Sequence, residues 1–448
     1  MSQTRSRSAA FFANATYSYK GRYTVNGTAR YEGTNRMGKS RSARWLPTWN
    51  VSGAWNAHEE KFFSNLTSVL SHFTLKASYS LTADRGPADV TNSQAIITSY
   101  SPYRPFTSIQ ESGLYIKELE NSELTYEKKH ELNIGADMGF LNNRINLAVD
   151  WYKRNNYDLI GIVNTQGAGG QILKYANIAS MKSHGIEFTL STKNIKTKDF
   201  NWNTDFIFSN AKNEVTDLKQ NANVMELISG NGFAKQGYPV RGLFSIPFVG
   251  LDKDGIPVII NEKGEATSTD INFQERQNTG FLKYEGPTDP TITGSLGNMF
   301  SYKGFRLNLF ITYSFGNVIR LNPVFKAYYS DLTAMTREFK NRWTLPGDEA
   351  KTNVPAILSK RMYDSNEDLK YAYNAYNYST ERIAKGDFIR LKEISLAYDF
   401  PKAWINPLKL TDLSLKVQAT NLFLIYADDK LNGQDPEFFN AGGVASPV

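Results

Sequence analysis

The segment 22–33, RYTVNGTARYEG, alternates apolar and polar residues without interruption. Its odd positions carry Tyr, Val, Gly, Ala, Tyr and Gly, and its even positions carry only charged, hydroxyl and amide side chains. Because successive side chains of a strand point to opposite faces, one face suits hydrocarbon and the other suits water. The segment therefore predicts a β-strand that separates an apolar medium from a polar one.

The same alternation recurs to the end of the chain, with tyrosines at strand ends, and tight turns are predicted at Lys20-Gly21, Asn142-Asn143 and Lys303-Gly304. It predicts about twelve strands in antiparallel pairs: 8–19, 22–33, 44–56, 72–83, 124–140, 144–158, 183–194, 200–216, 291–302, 305–316, 386–400 and 410–426. Side chains predicted to face lipid are Tyr23, Val25, Ala29, Leu132, Ile134, Leu147, Val149, Leu307, Leu309 and Ile311.

Four long segments rich in Gly, Pro, Asn and Tyr separate these pairs: 84–123, 159–182, 217–290 and 317–385. Short turns at one end and long loops at the other are typical of outer-membrane barrels. The predicted fold is therefore all-β, an antiparallel transmembrane β-barrel whose long loops are extracellular and whose short turns are periplasmic. A soluble sandwich or β-helix is the alternative, although it would not usually keep its short turns at one end.

Composition excludes several other classes. No run of about 18 apolar residues is present, which excludes a transmembrane helix. The chain has no cysteine, so disulfides, thiolate metal sites and cysteine nucleophiles are excluded. The net charge is +7, but Lys and Arg are scattered rather than clustered in a stripe, which favours neighbouring lipid phosphates over nucleic acid.

No motif predicts an enzyme, a metal site or a cofactor. His58, His72, His130 and His184 have no ligand-like partner on a predicted common face, and no nucleophile elbow, phosphate loop or dinucleotide fingerprint occurs. The segment 252–255, DKDG, resembles a calcium loop but lacks the later acidic positions, so a hairpin turn is predicted.

The segment 370–378, KYAYNAYNY, is the most suggestive feature of the predicted loops. Its Tyr371, Tyr373, Tyr376 and Tyr378 are candidates to stack on sugar rings or to pack a bound peptide. The alternative is that they only pack this loop onto neighbouring loops.

The first residues, MSQTRSRSAAFF, lack the apolar core of a signal peptide. A barrel protein must be exported, so we expect the chain to be a piece whose first residue lies in the middle of a larger protein.

Six segments, in this order along nearly the whole chain, resemble the SusC/RagA family of outer-membrane transporters. They are LTYEKKHELNIGADMGFLNNRINLAVDWYKRNNYDLI (124–160), SHGIEF (183–188), WNTDFIFSNAKNEV (202–215), RWTLPGD (342–348), GDFIRLKEISLAYDFP (386–401) and ATNLFLIYADDKLNGQDPE (419–437). The resemblance implies a barrel of 22 strands, an N-terminal plug, a TonB box that contacts the inner-membrane motor, and a SusD-like lipoprotein lid. It implies that residues 1–448 are the C-terminal part of the barrel, strands 10 to 21, without plug, TonB box or closing strand.

The resemblance implies active, TonB-dependent import of a glycan or an oligopeptide across a Bacteroidota-type outer membrane. The implied partners are the SusD-like lipoprotein, TonB, outer-membrane lipid and lipopolysaccharide. A passive porin-like channel and a soluble carbohydrate-binding β protein are the alternatives. The polar wall residues expected to face the plug or water are Arg30, Glu32, Asn133, Asp137 and Asp150.

Overall fold

The computed structural model describes residues 6–86, 95–103, 111–167, 173–325, 335–439 and 445–447. Parts of the predicted loops (87–94, 104–110, 168–172 and 326–334) and Val448 lie outside the described residues. No helix among the described residues is both long and apolar enough to cross a membrane. The chain divides into two compact units, Met1–Ile186 with Asn213–Gln220, and Glu187–Lys212 with Asn221–Val448.

The first unit consists mainly of long strands. One helix, α1 (Arg41–Arg44), and two 3-10 turns (Ala57–Glu59 and Lys61–Asn65) lie between the strands. The strands are β1 (Ser8–Tyr19), β2 (Tyr23–Thr34), β3 (Trp45–Asn56), β4 (Leu70–Asp84), β5 (Ile96–Tyr100), β6 (Gly113–Glu118), β7 (Glu127–Phe140), β8 (Ile145–Asn164) and β9 (Leu173–Lys196), which continues into the second unit.

The second unit adds strands and the helices of the long loops. Its helices are α2 (Val224–Ile228), α3 (Lys360–Ser365), α4 (Leu369–Asn377) and α5 (Lys402–Ile405), with 3-10 turns at Arg337–Asn341, Asp348–Ala350, Thr380–Arg382, Asn406–Leu408 and Asp429–Leu431. The strands are β10 (Phe200–Leu218, shared with the first unit), β11 (Gly242–Ser245), β12 (Phe248–Leu251), β13 (Pro257–Ile260), β14 (Ala266–Thr267), β15 (Lys283–Pro287), β16 (Ile292–Tyr302), β17 (Phe305–Phe315), β18 (Val318–Arg320), β19 (Ile383–Lys385), β20 (Phe388–Asp399), β21 (Ser414–Ala427), β22 (Gln434–Phe439) and β23 (Ala445–Pro447).

Twelve strands form one sheet, which confirms the predicted number. Their order is β1-β2-β3-β4-β7-β8-β9-β10-β16-β17-β20-β21. The order of the strands in the sheet follows their order in the sequence. The strands that are skipped belong to the small sheets of the loops. No pairing joins β1 to β21 within the described residues, so these residues do not close the sheet into a barrel.

The residues of the predicted tight turns have positive φ. Lys303 and Gly304 have φ of 44° and 91° and connect Tyr302 to Phe305, as a two-residue hairpin with a type I′ turn requires. Lys20 and Gly21 also have positive φ, 51° and 70°, but Tyr19 pairs with Tyr23, so three residues connect these two strands. The prediction of a two-residue turn at Asn142-Asn143 is wrong, because Phe140 pairs with Ile145 and four residues connect them. Leu141, Asn142 and Asn143 all have positive φ.

The register places the short connections at one end of each unit, as predicted. In the first unit, Tyr19 pairs with Tyr23 and Leu70 with Phe140, next to the turns at 20–21 and 141–144. In the second unit, Phe200 pairs with Tyr302, next to the turn at 303–304. The long segments leave the sheet at the opposite end.

The prediction of a loop over 159–182 is largely wrong. β8 continues to Asn164 and β9 begins at Leu173, so only a few residues connect two very long strands. Beyond the hydrocarbon layer both faces of a strand meet water or protein, so the alternation that identifies the membrane segment disappears there.

The buried core lies in the long loops rather than under the sheet. In the second unit it surrounds α2, β11 and α4, with Leu227, Phe244 and Ala375 among its members. None of the ten side chains predicted to face lipid is buried; Val25, for example, is 54% exposed. This distribution is the reverse of that in a soluble sandwich, whose sheets enclose the apolar side chains.

Candidate functional site

A cavity of about 490 Å³ in the second unit lies against the polar face of β16 and β17. This size is typical of small-molecule sites, which measure about 300–1,000 Å³. The face is polar because register brings hydroxyls together: Thr293 lies opposite Ser314, and Ser295 lies opposite Thr312. The cavity is lined by Gly230, Asn231, Arg241, Thr288, Asp289, Pro290, Thr293, Gly294, Thr312, Tyr313, Ser314, Asn317, Val318, Phe388, Pro436 and Glu437.

Gly294 permits the close approach of two strands beside the cavity. The Tyr313 hydroxyl crosses over it and donates a hydrogen bond of 2.9 Å to the carbonyl of Ile207. A Cβ at position 294 would lie 2.1 Å from that carbonyl oxygen and 2.3 Å from the Tyr313 hydroxyl. Any larger residue at this position would therefore displace the strands that form the cavity floor.

An ion pair borders one side of the cavity. Arg241 Nη1 lies 2.6 Å from Asp289 Oδ1, and its Nε donates to the carbonyl of Asn231 at 2.8 Å. Thr288 also donates to the Asn231 carbonyl, at 3.2 Å. These contacts hold the segments 230–241 and 288–290 together although they are far apart in sequence.

Four charged side chains fix the segment that forms the opposite side of the cavity. Arg390 Nη2 donates to Asp435 Oδ1 at 2.5 Å, and both residues are buried. Arg390 Nε lies 2.9 Å from Glu437 Oε2, and Lys392 Nζ lies 2.6 Å from Glu437 Oε1. The pairs bind the segment 434–437 to the polar side of β20, and this segment supplies Pro436 and Glu437 to the cavity.

Asn317 contributes a buried hydrogen-bond acceptor without a donor. Its Nδ2 donates to the carbonyl of Thr288 at 3.3 Å, but its Oδ1 has no hydrogen-bond partner. Only Gly at position 386 leaves room for the amide, because a Cβ there would lie 2.2 Å from Asn317 Nδ2. This oxygen is almost fully enclosed by protein, so a ligand in the cavity does not reach it in this arrangement.

Two buried arginines organise the loops of this unit. Arg320 donates to the carbonyl of Phe244 at 2.7 Å and to that of Ser379 at 3.4 Å. Complete burial lowers the pKa of the Arg320 guanidinium to about 9, so it stays charged at neutral pH. Arg382 pairs with Glu338 and donates to the carbonyl of Asn322 at 2.5 Å.

The tyrosines predicted as ligand contacts do not form one exposed surface. Residues 369–377 form the helix α4, in which Tyr373 and Tyr376 are buried. Tyr376 packs edge-on against Phe248, and burial raises its pKa. Tyr371 is 39% exposed and Tyr378 is half-buried, so ligand contact stays a prediction for these two.

In the first unit, three of the predicted wall residues lie on one face around Lys76. Lys76 Nζ lies 3.0 Å from Asp137 Oδ2 and 4.0 Å from Asp150 Oδ1. Gly135 stands between Lys76 and Asp150 in the register, and the absent side chain lets them meet. Asn133 lines a shallow groove that Lys76 also lines.

The other two predicted wall residues, Arg30 and Glu32, form an ion pair with each other on β2. Whether these five side chains face a plug or water stays a prediction.

One contact between two histidines was not predicted from the sequence. The link 57–69 folds back so that the rings of His58 and His72 lie 4.2 Å apart, contrary to the prediction that no histidine has such a partner. No group of three metal-ligating residues occurs within the described ranges. The turn predicted at 252–255 is confirmed: it joins β12 to β13, and Asp252 Oδ1 accepts from the amides of Asp254 and Ile256.

A family model described as "TonB dependent receptor-like, beta-barrel" matches residues 1–422. TonB-dependent receptor P3 of Formosa agariphila is 25% identical over 95% of this chain and 41% of its own length. TonB-dependent receptor SusC of Bacteroides thetaiotaomicron is 25% identical over 97% of this chain and 42% of its own. The chain thus spans less than half the length of these curated relatives.

A solved structure of the RagAB peptide transporter has the same fold. It matches with a TM-score of 0.76 at 23% identity, over 98% of this chain and 46% of the solved chain.

Proposed function

Because the chain belongs to the TonB-dependent receptor-like β-barrel family, we propose that it forms barrel wall of an active importer. The protein lies in the bacterial outer membrane, as its SusC and RagA-type relatives do. The observation that carries the proposal is a sheet with one apolar face and one polar face, the polar face bearing a cavity. A spanning sheet of this kind separates lipid from an aqueous path.

The proposed mechanism is transport without covalent chemistry, and we propose a transporter rather than an enzyme. Substrate, a glycan or an oligopeptide, binds among the extracellular loops and a plug. A lid closes over it, and force on the plug then opens a path along the polar wall. The buried arginines Arg320 and Arg382 support this proposal, because they hold the loops in one arrangement.

We also propose, from the family, which further parts the importer has. We infer that residues 1–448 are the C-terminal part of the barrel, and that the plug and TonB box belong to the remainder of a protein of the relatives' length. A SusD-like lipoprotein is the proposed lid, and the RagAB match supports a two-component assembly. Lipid and lipopolysaccharide are the proposed surroundings of the apolar face.

Deletion of the TonB motor genes tests active import. A plugged lumen gives no free diffusion path, so uptake of a labelled ligand should fall to the level of a strain lacking the transporter. A strain lacking an unrelated inner-membrane protein is the control. Undiminished uptake without the motor would favour the passive-channel alternative.

Affinity purification of the full-length protein from native membranes tests the proposed lid. A SusD-like lipoprotein should co-purify in a constant ratio and should remain bound after washing with high salt. A protein that never binds such a lipoprotein would be a transporter without a lid.

A further inference from the structure

We propose that the loop end of strands β7 and β8 binds a phosphate group of an outer-leaflet glycolipid through Lys153. This inference rests on the proposed lipid and lipopolysaccharide surroundings of the apolar face and assigns them a site. It depends on four properties of Lys153 in the first unit: its height on the sheet, the scarcity of other charges on its face, its lack of a counter-charge, and the aromatic side chains beside it.

Lys153 stands at the outer edge of the apolar face. On this face β8 presents Ile145, Leu147, Val149 and Trp151, and Lys153 is the next residue of the alternation. It lies eight residues beyond Ile145, which is about 26 Å along the strand and about 20 Å across the membrane at the usual tilt. The apolar band of such barrels is about 25 Å tall. Lys153 therefore lies where hydrocarbon gives way to headgroups, on the side of the long loops.

The same face of the neighbouring strands carries very little charge. The register places the odd residues of β1 to β3, and those of β4 from Phe73 onward, on the face of Val25, and none of them is charged. This face holds the even residues of β7 and the odd residues of β8 up to Tyr157. Within these described strands, its only Lys, Arg, Asp or Glu residues are Lys128 and Lys153. The cations are thus confined to one place at the membrane boundary.

Lys153 has no counter-charge among the described residues. Lys128 Nζ lies 2.6 Å from Asp158 Oδ2, and Arg154 Nη2 lies 3.1 Å from Glu131 Oε1. Lys153 is exposed and forms no ion pair within the described part of the chain. An ammonium in the headgroup layer is attracted to the anions of that layer, and phosphate is a strong acceptor of charge-assisted hydrogen bonds.

Two tyrosines and a histidine lie beside Lys153. The ring of His130 stacks between those of Tyr79 and Tyr157, with centroid separations of 5.8 Å and 5.7 Å. Each tyrosine hydroxyl lies 3.4 Å from a ring nitrogen of His130. Lys153 pairs with Leu132, so His130 is its diagonal neighbour, at about 7–8 Å. A phosphate held by the long lysine side chain can accept a second hydrogen bond from one of these hydroxyls.

The aromatic cluster favours a glycolipid as the source of the phosphate. Trp49 packs edge-on against Tyr79 at 5.4 Å, and its ring centroid lies 6.4 Å from that of His130. Aromatic rings of this kind are typical of the headgroup level of a membrane. A phosphorylated sugar can place the C–H face of its ring on these side chains and its phosphate on Lys153. A headgroup without a sugar makes only the second contact.

The test measures lipid binding to the full-length protein in detergent by native mass spectrometry. The probes are diphosphoryl lipid A of defined mass, its dephosphorylated form and phosphatidylglycerol, with inorganic phosphate as a competitor. Lys153→Gln removes the charge and Lys153→Arg keeps it. Lys129→Gln is the matched control, because Lys129 lies near the same end of β7 on the opposite face, and its partner Glu131 keeps Arg154.

We expect diphosphoryl lipid A to bind more tightly than either of the other lipids. Lys153→Gln should weaken its binding by about fivefold, which is the contribution of one lysine near an anionic lipid surface. Lys153→Arg and Lys129→Gln should leave it unchanged. Lys153→Gln should have no effect on the dephosphorylated form, because the group that Lys153 contacts is then absent.

The contradictory results are distinct. Equal losses in Lys153→Gln and Lys129→Gln would overturn the site, and equal losses for the phosphorylated and dephosphorylated lipids would overturn the phosphate contact. Equal binding of phosphatidylglycerol, or displacement by inorganic phosphate, would overturn the glycolipid as its source. Failure of the import proposal would instead appear as uptake that does not need the TonB motor, which the binding measurement does not involve.

Discussion

At the scale of single residues, Arg320 links two segments of the loop core. It is buried, carries its charge at neutral pH, and bonds to β11 and to Ser379. Arg320→Ala would leave the carbonyls of Phe244 and Ser379 without this donor, at about 1–3 kcal/mol for each unpaired group. Hydrogen exchange should therefore accelerate across β11 and β18 in the purified protein.

Arg306→Ala is the control for this prediction. Arg306 forms an exposed ion pair with Asp399 at 2.8 Å, so its loss should change stability by only about 0–1 kcal/mol. Equal acceleration of exchange in both variants would show that Arg320 has no special part in holding the loops.

Asp348 makes the turn of the RWTLPGD segment pH-dependent. Its Oδ2 accepts from the amides of Thr344 and Leu345, and these bonds lower the pKa of the carboxyl below its ordinary value of 3.8. A lowered folded pKa means that the carboxylate stabilises the turn above the ordinary value and that this contribution is lost as the pH falls through the folded pKa.

We therefore expect the Thr344 and Leu345 amides to lose exchange protection on acidification below about pH 4, after correction for intrinsic exchange rates. In Asp348→Asn, whose amide oxygen can still accept but does not titrate, protection should not change across this range. Protection that is independent of pH in the unsubstituted protein would contradict the assignment.

Local spacing in the sequence predicts some residues of the candidate site and not others. In 369–377, the positions Leu369, Ala372, Tyr373 and Tyr376 follow helical spacing, so a helix with a buried face was detectable there. Asn317 gives no such signal, because its unpaired oxygen depends on Thr288 and Gly386, which are distant in sequence.

At the scale of elements, the contact between β20 and the segment 434–437 defines one wall of the cavity. Asp435→Ala would remove the closest carboxylate of the buried Arg390 and leave Glu437 as its counter-charge, so the cost should lie below the about 3–5 kcal/mol of a fully unpaired buried partner. We expect the segment 434–437 to become sensitive to protease in this variant.

The double variant Arg390→Met with Asp435→Leu separates charge from packing. Removing both charges leaves no unpaired ion, so the segment should regain most of its resistance. If the double variant is cleaved as fast as Asp435→Ala, the ion pair does not hold the segment.

Membrane strands were predictable and loop strands were not, for a physical reason. β1 and β17 lie within a residue of their predicted bounds because lipid on one face forces strict alternation. β11 and β13 are short strands of a folded loop, where burial follows the surrounding core and no alternation is imposed. The cavity, which joins residues from 230 to 437, has no local signature at all.

At the scale of the whole molecule, the two faces of the sheet should differ in their tolerance of charge. Leu309→Lys places an ammonium in lipid and should cost about 2–4 kcal/mol near the membrane centre. Asn308→Lys is the control, because residue 308 points to the polar face and lies near Glu393. Unfolding by urea in lipid vesicles gives both values, and equal costs would contradict the assignment of faces.

The most direct test of the account is the environment of consecutive side chains along β17. The chain has no cysteine, so spin labels can be placed one at a time at positions 307 to 313 of the full-length protein in lipid vesicles. Collision with oxygen, which concentrates in lipid, should be high at 307, 309, 311 and 313 and low at 308, 310 and 312. A profile without this period of two, or with its maxima at the even positions, would contradict a wall that separates lipid from a polar transport path.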